Sequence, residues 1–277
     1  MTIPTIALSD GRSIPALGFG TYGINDPAVI AEALDAGYRH IDTAQMYGNE
    51  AAVGQGIAAS GLDRDEVFVT SKLHNPHHLP DDARREFATT LEALGVDQVD
   101  LFLIHWPVPM HYGGDFVSTW RCLIEFAADG RARSIGVSNF LPDHLRQLVA
   151  ETGVVPAVNQ VEVHPHFANS DVVAANAHHG VTTVAWSPLA RGALSSDPVI
   201  TAVAAETAAT PAQVVLAWHL AHGRVAIPKS TNPARMRENL AAADLRLTPD
   251  QVARIDALDR GADGRTGADP ATMSWLG

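Results

Sequence analysis

The chain has 277 residues, 46% of them hydrophobic and 18% charged, which is enough apolar material for a large core and excludes an intrinsically disordered chain. The length suits either two small domains or one eight-fold β/α barrel of roughly 250 residues. A formal net charge of −12 lacks the basic footprint that non-specific binding to nucleic acid or anionic lipid requires, so neither is an expected partner.

The opening MTIPTIALSDGRSIP carries no basic start and no long apolar run, and it reads as no signal peptide. Nothing along the chain approaches the roughly 20 apolar residues of a membrane span. TIALSDGRSIPAL predicts a short hairpin turning at Asp10-Gly11. Eight short apolar runs follow, LGFG (17–20), HIDTA (40–44), VFVTSK (67–72), VDLFLIH (99–105), SIGVS (134–138), AVNQVEV (157–163), VTTVAW (181–186) and VAIPK (225–229). Amphipathic helical patterns separate them, with start signals at Asp26-Pro27, Pro80-Asp81 and Thr210-Pro211. A polar cap followed by Pro at the first helical position favours initiation. Gly37, Gly61, Gly95, Gly130 and Gly180 mark helix ends. Strands alternating with helices predict parallel β/α units, and nearly continuous apolar runs fit strands buried on both faces. No linker divides the chain, so one closed barrel over 1–277, with an extra helix from about Thr248 and a Gly/Asp-rich tail ending MSWLG, is the expected architecture. The one cysteine, Cys122, sits in the apolar pattern WRCLIEF. It reads as a buried inert thiol, and a chain without disulfides fits a reducing cytoplasm.

Residues Gly18-Phe19-Gly20-Thr21-Tyr22-Gly23 match G-x-G-x-x-G, with Asp42 about 20 positions on, the fingerprint of a Rossmann dinucleotide site. The third glycine of that motif should open a helix aimed at the pyrophosphate. Here Ile24, Asn25, Asp26 and Pro27 intervene, so the Rossmann reading is the lesser alternative.

In a barrel the active site forms where strands end. The runs end on or near Asp42, Lys72, His105, Ser138-Asn139, Gln160, Ser187 and Lys229, with Tyr47 just beyond the second. Four of these make an acid–base set. Carbonyl reduction by hydride leaves charge on oxygen and needs a proton donor. A tyrosine, with a reference pKa of about 10, is helped by an ammonium that stabilises its anion. Tyr47 is the expected acid, Lys72 and Asp42 its tuners, and His105 the group that orients and polarises the carbonyl. Three of the four also have a plainer reading: Asp42 as a helix cap, Lys72 as a surface charge, His105 as a core histidine.

The segments GFGTYG, HIDTAQMYGNE, VFVTSKL, DLFLIHWP, SIGVSNF, NQVEVHP, WSPL and IPKSTNPARMRENL together resemble the aldo-keto reductase superfamily over nearly the whole length, close to its bacterial diketogluconate reductase-like branch. The resemblance implies a β/α barrel closed at the bottom by the hairpin, a catalytic tetrad on Asp42, Tyr47, Lys72 and His105, and NADPH bound without a Rossmann motif. It further implies cofactor contacts from Gly20 and Thr21. Ser138, Asn139 and Gln160 would hold the nicotinamide carboxamide, with Trp186 stacked on the ring where relatives more often carry Tyr. Ser187 and Leu189 would lie along the pyrophosphate, Lys229, Ser230 and Arg235 about the 2′-phosphate, and Glu238 and Asn239 at the adenine. A phosphate dianion suits a Lys point charge, an Arg fork and a helix start. Tyr22, His74 and Trp106 would line the substrate mouth. The short segment PLARGALSSDP after Ser187 implies weak clamping of the cofactor. The tail with Met273 and Trp275 either folds over the pocket or stays disordered. The expected protein is a cytoplasmic monomer that reduces aldehydes, dicarbonyls or reactive ketones. The competing function is an NADPH-binding scaffold or sensor with little turnover. HNPHH (74–78) and HPH (164–166) suggest metal ligands, but no carboxylate set accompanies them, and no metal is expected.

Overall fold

Residues 3–277 are described by the computed structural model; the first two residues of the opening segment MTIPTIALSDGRSIP lie outside them. A two-stranded antiparallel hairpin comes first, β1 (Thr5–Ala7) with β2 (Ser13–Pro15), turning at Asp10-Gly11. Among the described residues eight parallel strands follow: β3 (Phe19–Gly20), β4 (His40–Asp42), β5 (Phe68–Leu73), β6 (Val99–Ile104), β7 (Ala132–Ser138), β8 (Val158–Glu162), β9 (Thr182–Trp186) and β10 (Val225–Ile227). They pair in chain order. The ring closes between its ends, where Leu17 bridges Ala226, Gly18 N–H donates to Ala226 O at 3.0 Å and Ala226 N–H to Ala16 O at 2.9 Å.

Among the described residues ten helices surround this barrel: α1 (Pro27–Ala36), α2 (Glu50–Ala59), α3 (Pro80–Leu94), α4 (Val117–Ala128), α5 (Pro142–Thr152), α6 (Ser170–His179), α7 (Pro198–Thr207), α8 (Pro211–Ala221), α9 (Pro233–Ala241) and α10 (Pro249–Asp256). Asp26 caps α1 through Ala28 N–H at 2.9 Å, and Thr210 forms a capping box with Gln213 at the start of α8. The expected polar cap at α3 is absent: Leu79 stands there, and Pro80 alone, with φ already set for a helix, opens the element. The G-x-G-x-x-G match is a strand end followed by a turn. Gly23 adopts φ 69° and α1 does not begin until Pro27, so no helix points at a phosphate there and the Rossmann alternative falls with the barrel.

Side chains alternate along the strands. Phe102 and Ile104 of β6 face outward into the main core with Phe87 and Phe126, while Leu101 and Leu103 face the barrel interior with Val158, Val184, Val225 and Ile227. Ile14 and Leu8 of the hairpin complete that interior cluster and close its bottom. Gly136 keeps the interior tight, since a Cβ there would lie 2.7 Å from Val158 O. Cys122 is buried and free, and burial pushes its thiol up. No single helix among the described residues is long and apolar enough to cross a membrane.

Candidate active site

The period of two that sends Ile41, Val69 and Leu73 outward sends Asp42 and Lys72 inward, at the carboxyl ends of neighbouring strands. Lys72 Nζ donates to Asp42 Oδ1 at 2.6 Å and to Thr43 O at 2.8 Å. The lysine is 0% exposed and the aspartate 3%, so the surface-charge and helix-cap readings of these two residues are excluded. Burial presses the Lys72 pKa down, but Asp42 and the Tyr47 phenol outweigh it and leave it above its ordinary value. Such an ammonium is a fixed cation.

Tyr47 lies on the turn after β4, where Gly48 at φ 65° lets the backbone double back. Lys72 Nζ lies 5.2 Å from the Tyr47 ring centroid. The His105 ring stands edge-on to Tyr47 at 5.9 Å and the Tyr22 ring at 5.1 Å. The sequence reading expected the ammonium to lower the tyrosine. Here burial pushes the Tyr47 phenol up more strongly than Lys72 pulls it down, and its net displacement is upward. Burial, reinforced by Lys72, holds His105 well below the ordinary imidazole value, so it is a neutral ring with no partner at Nδ1. A neutral imidazole beside a fixed cation can donate one hydrogen bond to a carbonyl oxygen without competing for the proton that Tyr47 carries.

The polar residues on the next strands form one hydrogen-bonded chain into this set. Gln160 Nε2 donates to Asp42 Oδ2 at 2.6 Å, and Ser138 Oγ to Gln160 O at 2.7 Å. Asn139, at φ 63°, donates from Nδ2 to His105 O at 3.0 Å. Trp186 Nε1 donates to Asn139 Oδ1 at 2.9 Å. Gln160 therefore orients the aspartate, a role its sequence context did not announce.

The remaining residues sort by exposure. Thr21 is buried, with its hydroxyl donated to Asp42 O at 3.0 Å, and Gly20 leaves the close approach of β10 open, since a Cβ would come within 3.2 Å of Ile227. Lys229 and Arg235 are exposed and, among the described residues, in no ion pair, with Ser230 between them; they flank the start of α9, capped by Asn232. A dianion suits that donor set, whereas Glu238 accepts from Thr210 Oγ at 2.6 Å and Asn239 is buried. Ser187 sits at φ 48°, and Leu189 is partly buried in the turn after it. Tyr22 is 63% exposed and Trp106 is buried. His74 packs 5.7 Å from Trp275, and Asn75 Nδ2 donates to Trp275 O at 2.9 Å. The tail thus lies across the mouth; Asn75 and His111, which meets Ser274 O at 2.6 Å, were not foreseen.

The histidine clusters are engaged elsewhere. His78 stacks on Tyr112 at 5.4 Å, His164 Nε2 lies 3.1 Å from Glu162, and His166 Nε2 lies 3.2 Å from Asp197. No set of three metal-ligating side chains converges among the described residues.

Comparison with known proteins gives consistent matches along the chain. The model of the Aldo/keto reductase family matches residues 16–260. The chain is 44% identical to an aldo-keto reductase of Mycobacterium sp. (strain KMS) over 280 residues, covering 100% of both. It is 45% identical to 2,5-diketo-D-gluconic acid reductase B of Corynebacterium sp. (strain SHS752001), covering 94% of each. A mutant of Gox0644 crystallised with NADPH superposes with a TM-score of 0.94 at 40% identity, covering 99% of this chain and 100% of that one.

Proposed function

We propose that this chain, which belongs to the aldo/keto reductase family and is an NADPH-dependent oxidoreductase of small carbonyl compounds, reduces aldehydes, dicarbonyls or reactive ketones with Tyr47 as the proton donor. The observation that carries the reading is the buried Lys72–Asp42 pair beneath the Tyr47 ring. NADPH, when bound, supplies the hydride. Everything else falls to the protein. Tyr47 Oη gives its proton to the oxygen of the carbonyl as charge develops there. The tyrosinate left behind is stabilised by the Lys72 ammonium, held in place by Asp42, which Gln160 in turn orients. His105, neutral and pinned through its backbone carbonyl to Asn139, fixes which way the carbonyl points.

For the cofactor, Lys229, Ser230 and Arg235 suit the 2′-phosphate, because free cations at a helix start meet a dianion without first breaking an ion pair. Trp186 would form the shelf for the nicotinamide, with Ser138 and Asn139 beside its carboxamide. Residues 1–277 act as one domain, and as a cytoplasmic monomer. The four exposed large apolar side chains among the described residues, Tyr22, Leu79, Met110 and Trp275, belong to loops after β3, β5 and β6 and to the tail, which leaves no apolar helix face for a second copy.

The test is NADPH consumption with a reactive dicarbonyl, wild type against Tyr47→Phe. Turnover falling by about 100-fold or more, with NADPH binding retained, is the expected result. Unimpaired turnover in the variant would sink the assignment of the acid, and NADPH binding without turnover on any carbonyl would favour a sensor.

A further inference from the structure

Glu162, the last residue of β8, belongs neither to the acid–base set nor to the cofactor contacts above. It is 1% exposed, and a buried carboxylate is costly unless its lone pairs are occupied. Here they are. Oε1 accepts from Thr266 N–H at 2.7 Å and Thr266 Oγ at 2.6 Å, Oε2 accepts from Gly267 N–H at 3.0 Å, and His164 Nε2 lies 3.1 Å from Oε1. Two of these donors are backbone amides of the tail, 104 and 105 positions away in sequence. The carboxylate therefore anchors the tail before it crosses the mouth.

The anchor point touches the cofactor shelf. In the β8–β9 register Glu162 is the partner of Trp186. Gly267 lies so close to the far edge of the Trp186 six-membered ring that a Cβ would overlap Cη2 and come within 3.2 Å of Cζ3. The opposite edge is fixed by the hydrogen bond from Nε1 to Asn139 Oδ1 at 2.9 Å. The indole is thus held between two stops, one of which exists only while Glu162 holds the tail. A tyrosine here would lack both the N–H and the far ring edge.

We infer that Glu162 and Gly267 are positioning residues for the nicotinamide: Glu162 docks Thr266 and Gly267, and Gly267 backs the Trp186 indole so that its face lies in one place. The inference rests on Trp186 being the shelf for the nicotinamide.

The experiment compares, by calorimetry on the full chain, the affinity for NADPH with that for 2′-phospho-ADP-ribose, which lacks the nicotinamide. Gly267→Ala and Glu162→Gln should each weaken NADPH by about tenfold, the scale of an overpacked or released contact, while leaving the nicotinamide-free probe unchanged. That unchanged binding also shows that the variants are folded. Trp186→Ala serves as the control for the premise. If it weakens NADPH selectively and neither Gly267→Ala nor Glu162→Gln does, the positioning role is wrong and the shelf stands. If Trp186→Ala changes nothing, the shelf is wrong and the inference falls with it. Equal weakening of both probes by Gly267→Ala and Glu162→Gln would overturn the inference in favour of a general staple.

Discussion

A lysine with 0% exposure survives as a cation only beside a fixed anion, and Asp42 at 2.6 Å provides it. The direction of the neighbouring displacements has a kinetic consequence. Tyr47 is displaced upward by burial, so the acid stays protonated to higher pH, and His105 is displaced downward, so it is already neutral at the ordinary imidazole value. Reduction needs the first protonated and the second neutral. The profile of kcat/KM for reduction should therefore be flat from about pH 6.5 to about pH 9. A limb bending near the ordinary imidazole value would contradict the assignment of His105. At this scale the sequence was most legible where chemistry sits on a strand end: Asp42, Lys72 and His105 are inward residues fixed by a period of two. It was least legible where a side chain meets a partner far along the chain. Gln160 reaches Asp42 across 118 positions, and no local pattern encodes that distance.

Elements were legible through their punctuation. Asp26-Pro27, Thr210-Pro211 and the apolar runs forecast the helix starts and all eight barrel strands, because caps and alternation are local physics. α3 departs from the pattern because Pro80 at its first position makes a polar cap dispensable. The tail was ambiguous for the opposite reason. Its Gly/Asp composition has no period, and its order comes from contacts with residues far away in sequence, among them Glu162, Asn75 and His111. The start of α9 is the element that should decide between cofactors. Lys229 and Arg235 are exposed there and, among the described residues, in no ion pair, so Arg235→Ala should weaken NADPH by about tenfold or more, the scale of charge-assisted hydrogen bonds to a phosphate. NADH, which has no 2′-phosphate, should bind the variant and the parent alike. Equal losses for both, measured by fluorescence titration, would remove Arg235 from the phosphate site.

The whole molecule holds several imidazoles in its interior. Burial lowers His40 and His78 to about 4, despite Asp42 acting the other way on His40, and takes His105 and His219 well below the ordinary value. An unfolded chain binds protons at these sites from about pH 6.5 downward, while the folded one refuses them until about pH 4 or lower. Stability is therefore fully present above that window and is lost as the pH falls through it. The melting temperature should drop by about 5 °C or more between pH 7 and pH 5, and a melting temperature unchanged over that interval would show that these rings titrate normally. The barrel and its closure were legible at this scale from the count of runs and the absence of a linker, but no local pattern named the residues that make the closing joint. The bridge from Leu17 to Ala226 joins the first and last strands of the barrel, and that late joint governs how the molecule must be made. During synthesis every strand from β3 to β9 is already out of the ribosome before the segment that seals the ring exists. Until Val225 emerges, the growing sheet has two raw edges, and slow long-range pairing leaves them open to neighbours. A transcript cut or a ribosome stalled short of β10 thus yields a sticky open sheet rather than a smaller enzyme, and chaperone demand should concentrate in the interval before the last barrel strand is delivered.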